Sequence, residues 1–227
     1  MTPERFQKLN AVLRRRQPDL TLIAENTQKT QNIAALRRTC DAVGVFEMHA
    51  ISEATIRRHH MVSAGSGKWV PLTRHNSIRA ACSALHDQGF HILAAHQSRR
   101  AVDFRDIDYT QASAILLGGE LWGVSATAAS LADAHITVPM HGMVASLNVS
   151  VAAALVLYEA MRQREEAGFY ATARLDSETA AKTLFEWAYP RIARRCRQLA
   201  LPYPALDSEG RLIDNPFDTL VAIKRAG

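Results

Sequence analysis

Apolar residues along the chain fall into short runs separated by amphipathic stretches. Residues 3–16 set Phe6, Leu9 and Leu13 on one stripe and basic residues on another, which predicts a helix. Gln17-Pro18-Asp19 breaks it, because a proline ring cannot continue the hydrogen-bond ladder. Apolar runs at 20–24, 45–51, 91–95, 114–117 and 135–139 predict strands, and helical patterns occupy 32–43, 77–88 and 149–167. Strands interleaved with helices predict an α/β domain with a largely parallel sheet.

Caps sharpen these elements. Asn32 is a good N-cap, and Gly44 sits where a left-handed residue closes a helix. Between them Ile33, Leu36, Cys40 and Val43 share the face that packs on the sheet, and Arg38 points almost directly away from it. Ser77 caps the next helix and Gly89 ends it, while Gly168 closes the long one. Beyond residue 170, Leu184, Trp187, Ile192 and Leu199 suggest one or two helices before Leu201-Pro202-Tyr203-Pro204 forces an extended stretch. The organisation expected is a basic helix at 1–17, an α/β domain at 18–168 and a helical extension at 169–227.

With 227 residues, 48% of them hydrophobic, the chain can bury one sizeable core. Cys40, Cys82 and Cys196 are scattered and suggest free thiols in a reducing compartment. Residues 1–6 lack the apolar core of a signal peptide, and the run 151–158 is too short to span a bilayer, which needs about 20 residues. No membrane is expected, and the cytoplasm is the expected location. The net charge of +5 is modest, but Arg14, Arg15 and Arg16 crowd one end and Arg191, Arg194 and Arg195 the other. Either cluster alone suits a solvated helix face; two together point to a polyanion such as RNA.

Known phosphate and metal signatures fail. Val62 stands where a P-loop ending in Gly67-Lys68 needs glycine, and Trp69 replaces its Ser/Thr. No glycine fingerprint follows the first strand, no histidine pair has zinc-binding helical spacing, and no G-x-S-x-G elbow is present. Three segments remain: Asn32 to Thr39, the glycine-rich turn Leu116 to Gly123, and Val138 to Ser150. The last two end strands, where α/β sheets hold ligands. Read singly, Gly118-Gly119 could be a tight turn, Ser146 or Asn148 a helix cap, and Arg38 an ion-pair partner of Asp41. Together they make a polar cleft.

These segments resemble the three motifs of the TrmH group of SPOUT-class RNA ribose methyltransferases. The likeness runs from Arg15-Arg16-Gln17-Pro18-Asp19-Leu20-Thr21 through Val102-Asp103-Phe104-Arg105 to Ser146-Leu147-Asn148-Val149-Ser150 and Leu157-Tyr158-Glu159-Ala160. Leu201 to Pro204 resembles the tail of the branch that modifies guanosine 18 in the tRNA D-loop. The resemblance implies a parallel sheet ending in a deep trefoil knot, a homodimer, and S-adenosylmethionine as methyl donor to a tRNA ribose 2′-hydroxyl. It implies Arg38, Asn32, Glu120, Ser146 and Asn148 as catalytic residues, with Asn32 beside Arg38. Ala95, His96, Gly118, Val138, Met140 and Leu147 are implied as donor-binding, Arg14, Arg15, Arg16, Arg191, Arg194 and Arg195 as RNA-binding, and no metal is expected. Gln31, Ala95 and Leu121-Trp122 depart from the pattern, and Trp122 could stack on a base or fill a gap in the knot. Open alternatives are another tRNA or ribosomal nucleotide, an RNA-binding protein without catalysis, and an unrelated small-molecule enzyme.

Overall fold

The computed structural model describes residues 1–27, 29–51, 66–119 and 121–213. They form two compact units, one within Gln17–Thr172 and a second made of Met1–Arg16 with the described residues from Ala173 on. The larger unit alternates strands with helices: β1 (Leu20–Ala24), α2 (Thr30–Ala42), β2 (Met48–Ile51), β3 (Leu72–His75), α3 (Ile78–His86), β4 (His91–Ala95), β5 (Val102–Asp103), β6 (Ser113–Leu117), α4 (Ala126–Leu131), β7 (Ala134–Thr137) and α5 (Val149–Glu166). The smaller holds α1 (Pro3–Arg14), α6 (Ser177–Ala188) and α7 (Pro190–Gln198).

The strands make one seven-stranded sheet in the order β3-β2-β1-β6-β4-β7-β5, and every pairing is parallel. Parallel strands are covered on both faces, so β1 and β6 are buried at every position. On one face Leu20, Leu22, Ile115 and Leu117 meet Leu36 and Cys40 of α2 and Val156 and Leu157 of α5. On the other, Ile23, Ile92 and Leu116 meet Cys82 and Leu85 of α3 and Ala128 of α4.

Local chemistry sets most helix ends as the sequence suggests. Ile33, Leu36, Cys40 and Val43 are buried, and Gly44, Gly89 and Gly168 adopt positive φ of 83°, 81° and 78° just past their helices. Ser77 Oγ accepts from the Ala80 amide at 3.1 Å. The start of α2 is a correction. Lys29, not Asn32, is the N-cap, because the chain turns at an extended Lys29 and the Asn32 amide already donates to its carbonyl. Two predicted strands are shorter: residue 45 makes only an isolated bridge to Gln17, and residues 138–139 lie past β7. Strands β3 and β5 and helix α4 went unpredicted, being a polar edge, a two-residue pairing and a six-residue helix.

Arg164 ties the large unit together from α5. Its guanidinium is 0% exposed and donates to Asp19 Oδ1 at 2.6 Å and to the carbonyls of Tyr109, Asp19 and Gln111 at 2.8, 3.0 and 2.9 Å. Such a donor set, fully matched, offsets the cost of burying the charge. In the small unit Phe6, Leu9 and Leu13 of α1 are buried, and α1 packs on α6. Arg164→Ala strips the partners from Asp19 and three carbonyls. It is expected to lower unfolding free energy by about 3–5 kcal/mol, read as a lower urea midpoint at unchanged slope.

Candidate active site

A cavity of about 450 Å³ opens at the carboxyl ends of β4, β6 and β7, closed by the approach to α5. Its size suits a cofactor-sized ligand. Backbone crowding creates it. The turn after β6 doubles back so closely that a Cβ on Gly118 would lie 1.9 Å from the Gly123 carbonyl carbon. A Cβ on Gly119 would lie 2.5 Å from the Asn26 carbonyl oxygen. The turn is closed by the Gly123 amide donating to the Gly119 carbonyl at 2.9 Å. Buried Glu25 fixes the far end of the turn, accepting from the Ser125 amide at 2.9 Å and the Ser125 hydroxyl at 2.7 Å. The turn and the ligand wall are therefore one structure, and glycine serves both.

All six residues implied as donor-binding, Ala95, His96, Gly118, Val138, Met140 and Leu147, line this cavity, and Ser146 and Asn148 join them. Asn148 also caps α5, its Oδ1 accepting from the Ser150 amide at 2.8 Å, so its side chain is already half committed. Glu120 lies outside the described residues. Sequence reasoning missed Lys29, Gln97, Leu121 and Thr137 on the wall. Gln97 spans two loops by donating to the Ala145 carbonyl at 2.9 Å. Its signal was position alone, two residues past the end of a strand. Lys29 is the only described Lys, Arg, Asp or Glu on the wall, which is otherwise glycine, apolar and neutral polar groups.

Arg38 and Asn32 do not line the cavity. They are six positions apart on α2, about 9 Å along its axis. Arg38 is exposed, while its neighbour Arg37 turns inward and donates to the Val70 carbonyl from Nε at 3.1 Å and to the Gly67 carbonyl at 2.6 Å. Burial, then the nearby Arg74, lowers the Arg37 pKa from its ordinary value. Trp122 is 90% exposed, which removes its gap-filling role.

Arg14, Arg15, Arg191, Arg194 and Arg195 are exposed. Arg16 corrects the expectation for that cluster. It is 0% exposed, its guanidinium 5.2 Å from the Trp187 ring centroid, and a charge so enclosed cannot reach a phosphate.

A family model described as the SpoU rRNA methylase family matches residues 19–158, and one for the SpoU rRNA methylase C-terminal region matches 162–215. The chain belongs to the SpoU rRNA methylase family. Among SpoU relatives, the Escherichia coli (strain K12) tRNA (guanosine(18)-2'-O)-methyltransferase is 45% identical across 100% of both chains. A crystal structure of the A. aeolicus TrmH/SpoU tRNA modifying enzyme superposes with a TM-score of 0.76 at 39% identity, covering 83% of this chain and 97% of that one. The SpoU methyltransferase AviRb from Streptomyces viridochromogenes, crystallised with AdoMet, gives a TM-score of 0.60 at 26% identity over 66% and 62% of the two chains. The parallel sheet expected from the sequence is thus the SpoU sheet.

Because the turn after β6 admits no side chain at Gly118, Gly118→Ala is expected to lower the melting temperature sharply. Gly142→Ala is its control: a Cβ there meets nothing within 4 Å and should leave thermal unfolding unchanged.

Proposed function

We propose that this protein transfers a methyl group from S-adenosylmethionine to the ribose 2′-hydroxyl of guanosine 18 in the D-loop of tRNA. The observation that carries the reading is the glycine-walled cavity at the strand ends, in a chain 45% identical from end to end to an enzyme named for that reaction. The residues present fit the donor. Gly118 presents bare backbone to the cavity for an adenine edge, and Val138, Met140 and Leu147 supply apolar wall. When bound, the donor supplies an already activated methyl on a sulfonium centre.

The protein's own work is to align the hydroxyl and stabilise the charge it develops. Arg38 suits this through charge, not proton transfer, since guanidinium keeps its proton at any working pH. It holds an adjoining phosphate and the forming alkoxide, and the proton leaves to phosphate oxygen or water. Ser146 and Asn148 orient the sugar at the cavity rim, with Glu120 and Asn32 completing the set. We assign methyl transfer to the unit Gln17–Thr172 and tRNA capture to exposed Arg14, Arg15, Arg191, Arg194 and Arg195 of the other. The knotted path implied for this family is part of the same reading.

Arg38 lies off the cavity of its own chain, which supports a homodimer in which each chain's Arg38 serves the partner's donor. Val151, Leu155 and Tyr158 also form an exposed apolar stripe on α5, next in sequence to exposed Met143 and Val144. The tRNA substrate and the three free cysteines support a cytoplasmic location. No described helix is long and apolar enough to cross a membrane.

Incubation with labelled donor and unmodified tRNA transcript should place the label on ribose 18; label on a base or another ribose would refute the assignment. Arg38→Ala should lower kcat about 100-fold or more while calorimetric donor affinity stays put. Leu155→Glu should convert dimers to monomers in sedimentation velocity and abolish methylation.

A further inference from the structure

Behind the cavity wall lies a cluster that the proposed reaction leaves unused. His135 of β7 is 5% exposed, and both of its ring nitrogens are engaged. Ser98 Oγ lies 2.8 Å and Arg100 Nε 3.3 Å from Nδ1, while Arg100 Nη2 and the Ala129 carbonyl lie 2.6 and 2.9 Å from Nε2. The His135 ring meets that of His96 edge to face, centroids 5.1 Å apart and planes at 84°. His96 is itself tethered by its amide, which donates to the Ile136 carbonyl at 3.1 Å, and it forms part of the cavity wall.

We propose that Ser98, Arg100 and His135 are positioning residues that hold His96 edge-on and uncharged at the donor cavity, so that this wall admits a sulfonium cation. The inference rests on the proposed use of S-adenosylmethionine. A protonated His96 would repel the positive sulfur, and repulsion inside a cleft is far less screened than at the surface. The product S-adenosylhomocysteine has a neutral thioether and would feel it less. The wall thus discriminates between two ligands that differ by one methyl and one charge.

The neighbours acting on His96 are defined. Burial first, then His135, then the Arg100 guanidinium lower its pKa from the ordinary imidazole value. Lys29 adds a further positive charge on the wall, α4 brings only the Ala129 carbonyl to the cluster, and the loop after β7 brings no titratable side chain among the described lining residues. Charge sets the direction. As pH falls through the lowered His96 pKa, the ring gains charge and donor affinity falls, by up to about tenfold per pH unit for one linked proton. Removing the Arg100 charge raises that pKa, so the loss begins at higher pH.

The test is isothermal calorimetry of the full-length protein with S-adenosylmethionine and with S-adenosylhomocysteine between pH 5 and 8, alongside an NMR titration of the His96 ring without ligand. In the wild type, donor Kd should rise on acidification more steeply than product Kd. Arg100→Gln should move both the donor midpoint and the His96 titration upward, while Arg100→Lys, which keeps the charge, should stay near wild type. Arg100 is exposed as a residue, so neither change threatens folding. Equal pH dependence for the two ligands, or an unmoved His96 titration in Arg100→Gln, overturns the inference and leaves the methyltransferase reading intact. Failure of the wild type to bind the donor even at pH 8 overturns both.

Discussion

Backbone pressed on backbone at the end of β6 is the contact from which the site is built. Gly118 meets Gly123 and Gly119 meets Asn26 at distances that leave no space for a methyl group. Strand β6 sits at the middle of the sheet, so its exit turn touches the loop after β1 on one side and the cavity on the other. Glu25 then anchors the turn's far end through Ser125, which also caps α4. Two loops are fixed by one crowded crossing, and a cofactor-sized void lies beside them.

The site's electrostatics are equally spare. Among the described lining residues Lys29 alone carries a formal charge, and the rest of the wall is glycine, apolar and neutral polar groups. Three guanidinium groups elsewhere in this unit are each held by fixed acceptors. Arg164 directs its hydrogen bonds to Asp19 and backbone carbonyls, Arg37 to the loop containing Gly67 and Val70, and Arg100 to His135. Each cation sits against acceptors that hold it in one place.

Much of the scaffold was legible because it is local chemistry. The four apolar positions of α2, the Ser77 cap and the glycines at 44, 89 and 168 each obey a rule spanning one or two turns of helix. The misses are also physical. Lys29 starts α2 through backbone shape without a side-chain cap bond, and β3 is a polar edge strand that carries no alternating pattern. Of the site, periodicity reached only a polar cleft at strand ends; the particular wall residues came from motif resemblance. Gln97 and Thr137 escaped because their place on the wall depends on strands distant in sequence. Arg16 escaped for a related reason. A run of three arginines looks uniform on paper, yet successive residues turn by about 100° on a helix, and one of the three enters the core of its unit beside Trp187.

The enclosure of Arg16 and Arg164 changes what the chain's formal charge means to a polyelectrolyte. A cation sealed inside protein displaces no condensed sodium or potassium from a nucleic acid. Neither side chain can contribute to the gradient of log affinity against log salt, although both are counted in the +5. The ionic atmosphere around an approaching tRNA therefore meets a sparser set of positive points than the arginine count suggests. How steeply binding weakens with added salt reports which arginines are outside.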